Sequence, residues 1–387
     1  MTPFAIKGRY TELESLRSTI FNEGLSMAQL TIPSLLLPLD AGPNYEYPIP
    51  YQGLGSMGVN QLASKLLLSL FPATTNFFKL DCPDSELEAL GVKGRSEAEN
   101  GFHQIEKHVT GFVETNGLRI QIFESLKQLL VVGNVLLYFQ EDNSLRLFKL
   151  DSYVISRDSS GNVMEIITKE KMDSRMLSPE MMVKYNQQAK KNDVPLVERN
   201  PIGISTPEKI EALPQELELY TYAERVDKVR WKLTQELNGI VVSEERKANS
   251  GYVKADDFPF IPLAYVRTGT DPYGRGFVHE VQGDLYSYEG MTKAIYEGGM
   301  AAARTIYLTR PGSVLDKNQL RDAPNLSVLQ GMKDDIHVIE SGKSGDMKIS
   351  MEVYASIERR LSQAFLLNKS VQRNAERVEL KYLPSIN

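Results

Sequence analysis

Apolar residues recur at helical spacing in several separate stretches of the chain. Leu13, Leu16 and Ile20 follow Thr11 and Glu14, a pair that reads as a capping box opening a helix there. Val59, Leu62, Ala63, Leu66 and Leu70 fall on one face of a second helix, which Pro72 stops. A third helix spans Glu97 to Thr115, with Phe102, Ile105, Val109, Phe112 and Val113 as its buried face and Asn116-Gly117 as its C-terminal cap. "LRIQIFESLKQLLVVGNVLLYFQ" predicts a fourth helix ending at Gly133, followed by a strand.

From Val135 to about Lys171 the pattern shortens to strands joined by the turn sequences "EDNS" and "DSSGN". Ser178-Pro179-Glu180 starts a charged helix. A loop, "KKNDVPLVERNPIGISTPEKIEALPQ", separates it from strand signals in "LELYTYAERV", "DKVRWKLTQEL" and "FIPLAYVR". After "TDPYGRG" come a long helix from Phe277 to about Arg304, a strand-and-loop interlude to Ser350, and a helix from Met351 to Leu367. Segregated strands and helices of this kind predict an α+β fold.

Composition narrows the classes. The 387 residues are 42% hydrophobic and 24% charged, an ordinary folded composition with room for more than one substructure. A net charge of −6 excludes a broad basic surface wrapped on nucleic acid, so any DNA contact is local or loose. Cys82 is the one cysteine, which excludes an internal disulfide and a thiolate cluster. The four histidines, His103, His108, His279 and His337, show no ligand spacing, so neither a metal nor another cofactor is expected. The N-terminus lacks a signal-peptide core and no run reaches the length of a membrane span.

Three motifs look chemical. Gly53-x-Gly55-x-x-Gly58 runs into a helix, as a dinucleotide cradle would, but the preceding "NYEYPIPYQ" holds two prolines and makes a poor buried strand. Gly342-Lys343-Ser344 has the end of a phosphate loop, yet His337 stands where that motif needs glycine, and no apolar helix is expected directly after it. The acid pairs Asp256-Asp257 and Asp334-Asp335 sit in polar, turn-like surroundings and read as solvated charges. Catalysis is therefore not supported; a nucleotide-binding enzyme built on Gly53–Gly58 is the alternative reading, and a monomeric capsid or tail adaptor a third.

Other features ask for a different explanation. The helix after "DPYGRG" keeps Gly283, Gly290, Gly298 and Gly299 ahead of Ala301-Ala302-Ala303, although each interior glycine costs about 1 kcal/mol relative to alanine. Close packing against another helix, inside one subunit or between subunits, is the usual reason. Glu280 and Asp284 early and Arg304 late suit the macrodipole, and Glu289-Lys293 and Lys293-Glu297 are spaced to pair. Residues 305–350 balance six Lys/Arg against six Asp/Glu, which suits a docking surface; Lys317, Arg321, Asp334 and Asp335 are its candidate contacts. Lys369, Arg373, Arg377 and Lys381 recur every four residues, with Arg359 and Arg360 a few turns earlier. By themselves they fit either a solvated face beside Glu376 and Glu379 or a stripe for phosphates.

The succession "LASKLLLSLFPATTNFFKL", "LKQLLVVGNVLLYF", "DPYGRGFVHEVQGDLYSYEG" and "SIERRLSQAFLLNKSVQRNAERV" resembles the portal (head-to-tail connector) proteins of short-tailed bacteriophages, over about Leu13 to Val378. That resemblance implies a ring of roughly twelve subunits at one capsid vertex, a closed cyclic assembly. It implies a subunit with a mixed α/β wing, a two-helix stem and a small α/β clip. Double-stranded DNA would pass through the channel during packaging and ejection, with a terminase large subunit and later a tail adaptor docking on the clip. Major capsid protein, scaffold and internal core proteins are the further partners implied, and the virion is the location, after assembly in the host cytoplasm.

By chain order, residues 1–276 would be wing, 277–304 the first stem helix, 305–350 the clip and 351–367 the second stem helix. Residues 368–387 would begin the tunnel loop and a shortened connection to wing and crown, since relatives run on well past "ERV". On this mapping Gly290, Gly298, Gly299 and Ala302 pack between subunits, and Lys369, Arg373, Arg377 and Lys381 face DNA. Gly53–Gly58 becomes structural punctuation in the wing.

Overall fold

A computed structural model describes residues 6–42, 44–72, 75–82, 95–173, 177, 179–192, 216–242, 251–269, 271–302, 306–309, 336–339 and 344–367. The chain divides into two compact units. The first comprises residues 1–49 and 56–280, the second residues 50–55 and 281–387.

The first unit opens with helix α1, Ile6–Leu30. Its start is not the capping box: Thr11 lies inside the helix and its hydroxyl donates to the carbonyl of Lys7 at 3.0 Å. The cap comes instead from Glu236, 230 residues away, whose buried carboxylate accepts the amides of Ile6 at 2.6 Å and Lys7 at 3.4 Å. A helix N-terminus needs acceptors, and a distant carboxylate serves as well as a local hydroxyl. One ridge of α1 packs Ile6, Tyr10 and Leu13 on Val154, Ile167, Tyr220 and Tyr222. Leu16, expected on that ridge, is 74% exposed, and the fully buried Arg17 lies beside it in sequence. The Arg17 guanidinium donates to the carbonyls of Leu150 and Tyr153 and pairs with Glu14 at 3.3 Å.

Those apolar partners belong to an antiparallel sheet of strands β3 (Tyr153–Arg157), β4 (Val163–Asp173), β5 (Glu216–Arg225), β6 (Arg230–Leu237), β7 (Ile240–Val241) and β8 (Tyr252–Lys254). Order runs β3-β4-β5-β6-β7, with β8 also paired to β6. Alternation in β5 sends Tyr220 and Tyr222 to α1, whereas Leu217 and Leu219 join Tyr185 and Ala189 of helix α5 (Pro179–Asn192) on the opposite face. Both faces of this strand are therefore covered.

Helices α2 (Leu54–Leu70), α3 (Arg95–Thr115) and α4 (Leu118–Val131) lie between α1 and the strands in sequence. Val59, Leu62 and Ala63 of α2 are buried as expected, but Leu70 is 51% exposed. In α3 the buried line is shifted: Val113 is buried, Ile105 and Val109 are exposed, and Glu106 sits inside. Its carboxylate accepts the Leu80 amide at 2.6 Å and the Asn76 side-chain amide at 3.1 Å, so polar backbone from the preceding segment occupies the face assigned to apolar residues. Gly117, at φ +63°, ends α3 and starts α4.

Strands β1 (Asn134–Phe139), β2 (Leu145–Phe148) and β9 (Phe260–Ala264) form a second sheet in the order β2-β1-β9. At its end two stretches of backbone come into close contact. Gly133 has φ +83°, and a Cβ built there would stand 2.4 Å from the Arg275 carbonyl carbon and the Gly276 nitrogen. A Cβ on Gly276 would stand 2.5 Å from the Leu130 carbonyl oxygen. Asn134 seals the contact, donating to the Gly274 carbonyl at 2.6 Å and accepting its amide at 2.7 Å. The Tyr273 hydroxyl accepts the Ile155 amide at 2.9 Å, Arg157 donates to the Pro272 carbonyl at 3.0 Å, and Arg275 pairs with Glu23 at 3.0 Å. "VVGN" and "DPYGRG" are thus two halves of one corner, which leads into the four-residue helix α6 (Phe277–Glu280).

Two outcomes follow. Gly133→Ala, strained at its φ and blocked by backbone, should lower unfolding free energy by about 3 kcal/mol or more. Gly239→Ala has the same φ with open space, so denaturant midpoints should show only about 1 kcal/mol. Burial pushes the Glu218 carboxyl up, but hydrogen bonds from Lys7, Lys169 and Tyr220 outweigh it and hold it at about 2. Its unfolded value is about 4.3. Its stabilisation is complete above that value and is lost as pH falls toward 2. Glu218→Gln should flatten this acid limb of a stability-against-pH curve.

Candidate functional site

The second unit is built on a helical hairpin. Helix α7 spans Gln282–Ala302, strands β10 (Ile306–Thr309) and β11 (Ile336–Ile339) pair antiparallel, and helix α8 spans Ser344–Ala364. Sequence periodicity placed one helix from Phe277; the chain instead turns at Val281, between α6 and α7. It placed the other at Met351–Leu367, but that helix begins at Ser344 and ends at Ala364. Apolar spacing reports where a helix is buried, and a polar first turn leaves no such mark. A helix does follow Gly342-Lys343 directly, but its first turn is polar and not the apolar helix of a phosphate loop, and the glycine that motif needs is His337.

Antiparallel pairing of α7 and α8 rests on a few contacts. Tyr288 and Tyr354 stack with centroids 4.6 Å apart and join hydroxyls at 2.7 Å. Leu285, Ile357, Leu361 and Phe365 are buried. Asp284 takes the Arg360 guanidinium at 2.6 and 3.1 Å. Arg360 had been grouped with a basic stripe; Asp284 neutralises it, and its pKa is raised by that hydrogen bond. The complementary pair spans 76 residues, beyond the reach of any local spacing rule.

Residues 50–55 lie on α7 as a strap. Glu289 accepts the amides of Tyr51 at 2.8 Å and Gln52 at 3.3 Å, so it does not make the expected pair with Lys293. Lys293 instead lies over the Tyr51 ring, 5.7 Å from its centroid, and 4.0 Å from Glu297. Tyr51 also meets Tyr296, with centroids 6.2 Å apart. The Gln52 side chain accepts the Gly55 amide at 2.8 Å. This is the Gly53–Gly58 stretch, and its chemistry is not that of a phosphate cradle. No strand precedes it, Gly55 and Gly58 lie within α2, and the nearest amides are already held by a carboxylate and a side-chain oxygen.

The other sequence-derived sites divide by position. Gly290, Gly298 and Gly299 lie on α7, and a Cβ on any of them would meet nothing within 4 Å among the described residues. Ala302 is the last residue of α7. Lys317, Arg321, Asp334, Asp335, Lys369, Arg373, Arg377 and Lys381 lie outside the described residues. Asp256 and Asp257 occupy a single helical turn, Ala255–Asp257, with no buried residue. Among the described residues no three His, Cys, Asp or Glu side chains could share a metal ion, and no helix is long and apolar enough to cross a membrane.

Removing the strap's anchor should be visible locally. In Glu289→Ala the amides of Tyr51 and Gln52 should exchange with deuterium about tenfold faster, the equivalent of about 1.4 kcal/mol, with the exchange of β4 and β5 unchanged. Unaltered exchange at both amides would show that the strap's other contacts, the Tyr51 ring contacts among them, are enough to hold it.

The family model for the bacteriophage head to tail connecting protein matches residues 5–380. The portal protein of Enterobacteria phage T3 is 31% identical over 392 residues, covering 98% of this chain and 68% of that protein. The portal protein of Escherichia phage T7 is 31% identical over 391 residues with the same two coverages. That of Enterobacteria phage SP6 is 28% identical over 366 residues, covering 94% of this chain and 66% of the relative. With a match that takes in the glycine corner, the strap and both long helices, the chain belongs to the bacteriophage head-to-tail connecting protein family.

Proposed function

We propose that this chain is the subunit of a portal ring of about twelve copies, set at one vertex of a phage capsid, through which double-stranded DNA enters during packaging and leaves at infection. The observation that carries the reading is the family match over residues 5–380. In this reading the first unit, α1 to α6, is the wing, α7 and α8 are the stem, and β10, β11 and the residues between them are the clip. Each stem helix of 21 residues is about 31 Å long, a fitting height for a channel wall.

The open positions at Gly290, Gly298 and Gly299 support a ring. Glycine destabilises a helix interior, and among the described residues nothing needs the space. A neighbouring copy approaching α7 closely gives the glycines their purpose. Tyr286, Tyr296 and Met300 are exposed on the same helix and supply apolar area for such a contact.

Charge supports a conduit. A net charge of −6 supplies no broad basic surface to grip DNA, and a strongly basic wall would hold a polyanion that has to slide. Lys369, Arg373, Arg377 and Lys381 are the DNA-facing cations in this reading. Lys317, Arg321, Asp334 and Asp335 form the surface on which a terminase, and afterwards a tail adaptor, docks. The subunit performs no chemistry of its own; the packaging motor supplies the energy. Assembly takes place in the host cytoplasm with capsid and scaffold proteins, and the ring stays in the virion.

Native mass and negative-stain images of the purified protein test this directly. A closed ring of about twelve subunits is expected. Gly298→Leu should leave the monomer's thermal midpoint unchanged or raise it slightly while preventing ring closure. A wild-type protein that stays monomeric in both measurements would overturn the reading.

A further inference from the structure

Most arginines among the described residues reach a carboxylate, as Arg9 reaches Glu165, Arg275 reaches Glu23 and Arg360 reaches Asp284. Arg157, Arg225, Arg267 and Arg359 do not. Three of these surround one turn of the first unit, residues 158–162, which joins β3 to β4. Arg157 and Arg267 both donate to the Gly161 carbonyl oxygen, at 3.0 and 3.2 Å, so two guanidinium groups stand side by side on one atom. Arg225 ends β5, whose register, with Glu224 opposite Glu165, sets it beside the start of β4 and so next to this turn. Its Nε donates to the Asp227 carbonyl at 3.3 Å, and its charge adds to the lowering of the Asp158 carboxyl.

Like charges do not gather without a reason. Burial and the neighbouring Arg267 together pull the half-buried Arg157 below its ordinary pKa, so the pair is unfavourable as it stands. The turn's own carboxylate does not relieve it. Asp158 spends one oxygen on the amides of Ser160 and Asn162, at 2.9 and 2.7 Å, and the other on the Asn162 side chain at 2.9 Å. Those bonds, which outrank Arg225 in lowering its pKa, fix the turn and present the Gly161 carbonyl. On the neighbouring strand, Glu165 is committed to Arg9. Nη2 of Arg157 and Nε and Nη2 of Arg267 are left without a protein partner among the described residues.

We propose that Arg157 and Arg267, with Arg225 across the 158–162 turn, form an oxyanion site that takes a phosphate group. A carboxylate is filled by a single bidentate fork. Two adjacent forks and a third cation call for an anion with more oxygens and more charge, which a tetrahedral phosphate has. The group comes either from free phosphate or a phosphate monoester, or from a nucleic-acid backbone, and the two sources separate by experiment.

The full-length protein is titrated with inorganic phosphate at constant ionic strength, in chloride, by calorimetry and by 31P line broadening. Arg157 also holds the Pro272 carbonyl, so the informative variants are Arg267→Gln and Arg225→Gln, with Arg359→Gln as the control for net charge. Saturable binding is expected in the wild type, about tenfold weaker in Arg267→Gln, the size expected for lost charge-assisted hydrogen bonds, and unchanged in Arg359→Gln. A short duplex DNA serves as the second probe. Arginine-dependent duplex binding that phosphate displaces assigns the site to a nucleic-acid backbone, whereas binding of phosphate alone assigns it to the free or monoester group. The proposal is overturned if phosphate binding does not saturate, if Arg359→Gln weakens it as much as Arg267→Gln, or if an acidic peptide binds through these arginines and phosphate does not.

Discussion

The first unit depends on one contact between two backbones. Gly133 and Asn134 at the end of α4 meet Gly274 to Gly276, so closely that no side chain fits at either glycine. Everything near that corner is referred to it. Tyr273 reaches β3, Pro272 receives Arg157, Arg275 reaches back to α1 through Glu23, and Tyr265 donates its amide to the Gly133 carbonyl. A single stretch of six residues thereby touches α1, α4, β1 and β3, and the chain leaves it for the second unit. Backbone packed against backbone is stiff, because neither side has a rotamer to change.

Acidic side chains perform a related task. Glu236 closes the N-terminus of α1, Glu106 holds the backbone at Leu80, and Glu289 holds the strap at Tyr51 and Gln52. In each case a carboxylate accepts amides of a segment that has no regular partner of its own. Such contacts leave less negative charge free than the composition suggests. The cations are treated likewise: Arg360, Arg275 and Arg9 are all held by acids, which makes the unpaired group around residues 158–162 stand apart.

In this member of the head-to-tail connecting protein family, the corner stiffens the backbone within one unit, and Asp284 neutralises Arg360 within the other.

The chain by itself determined its elements and much of its grammar. Helix α4, the strands from β1 to β4 with their polar turns, and Gly117 as a cap were all legible, because period, turn residues and positive φ leave local signatures. So was the long glycine-bearing helix, together with the order of segments that resembles the connector family. Tertiary structure alone decided what joins distant residues. It replaced the Thr11 capping box with Glu236, turned Glu289 from a helix pair into an anchor for the strap, and matched Arg360 to Asp284. It also buried Glu106 on a face that spacing had assigned to Ile105 and Val109. A carboxylate's partner is whichever donor the fold brings within about 3 Å, and sequence separation carries no information about that distance.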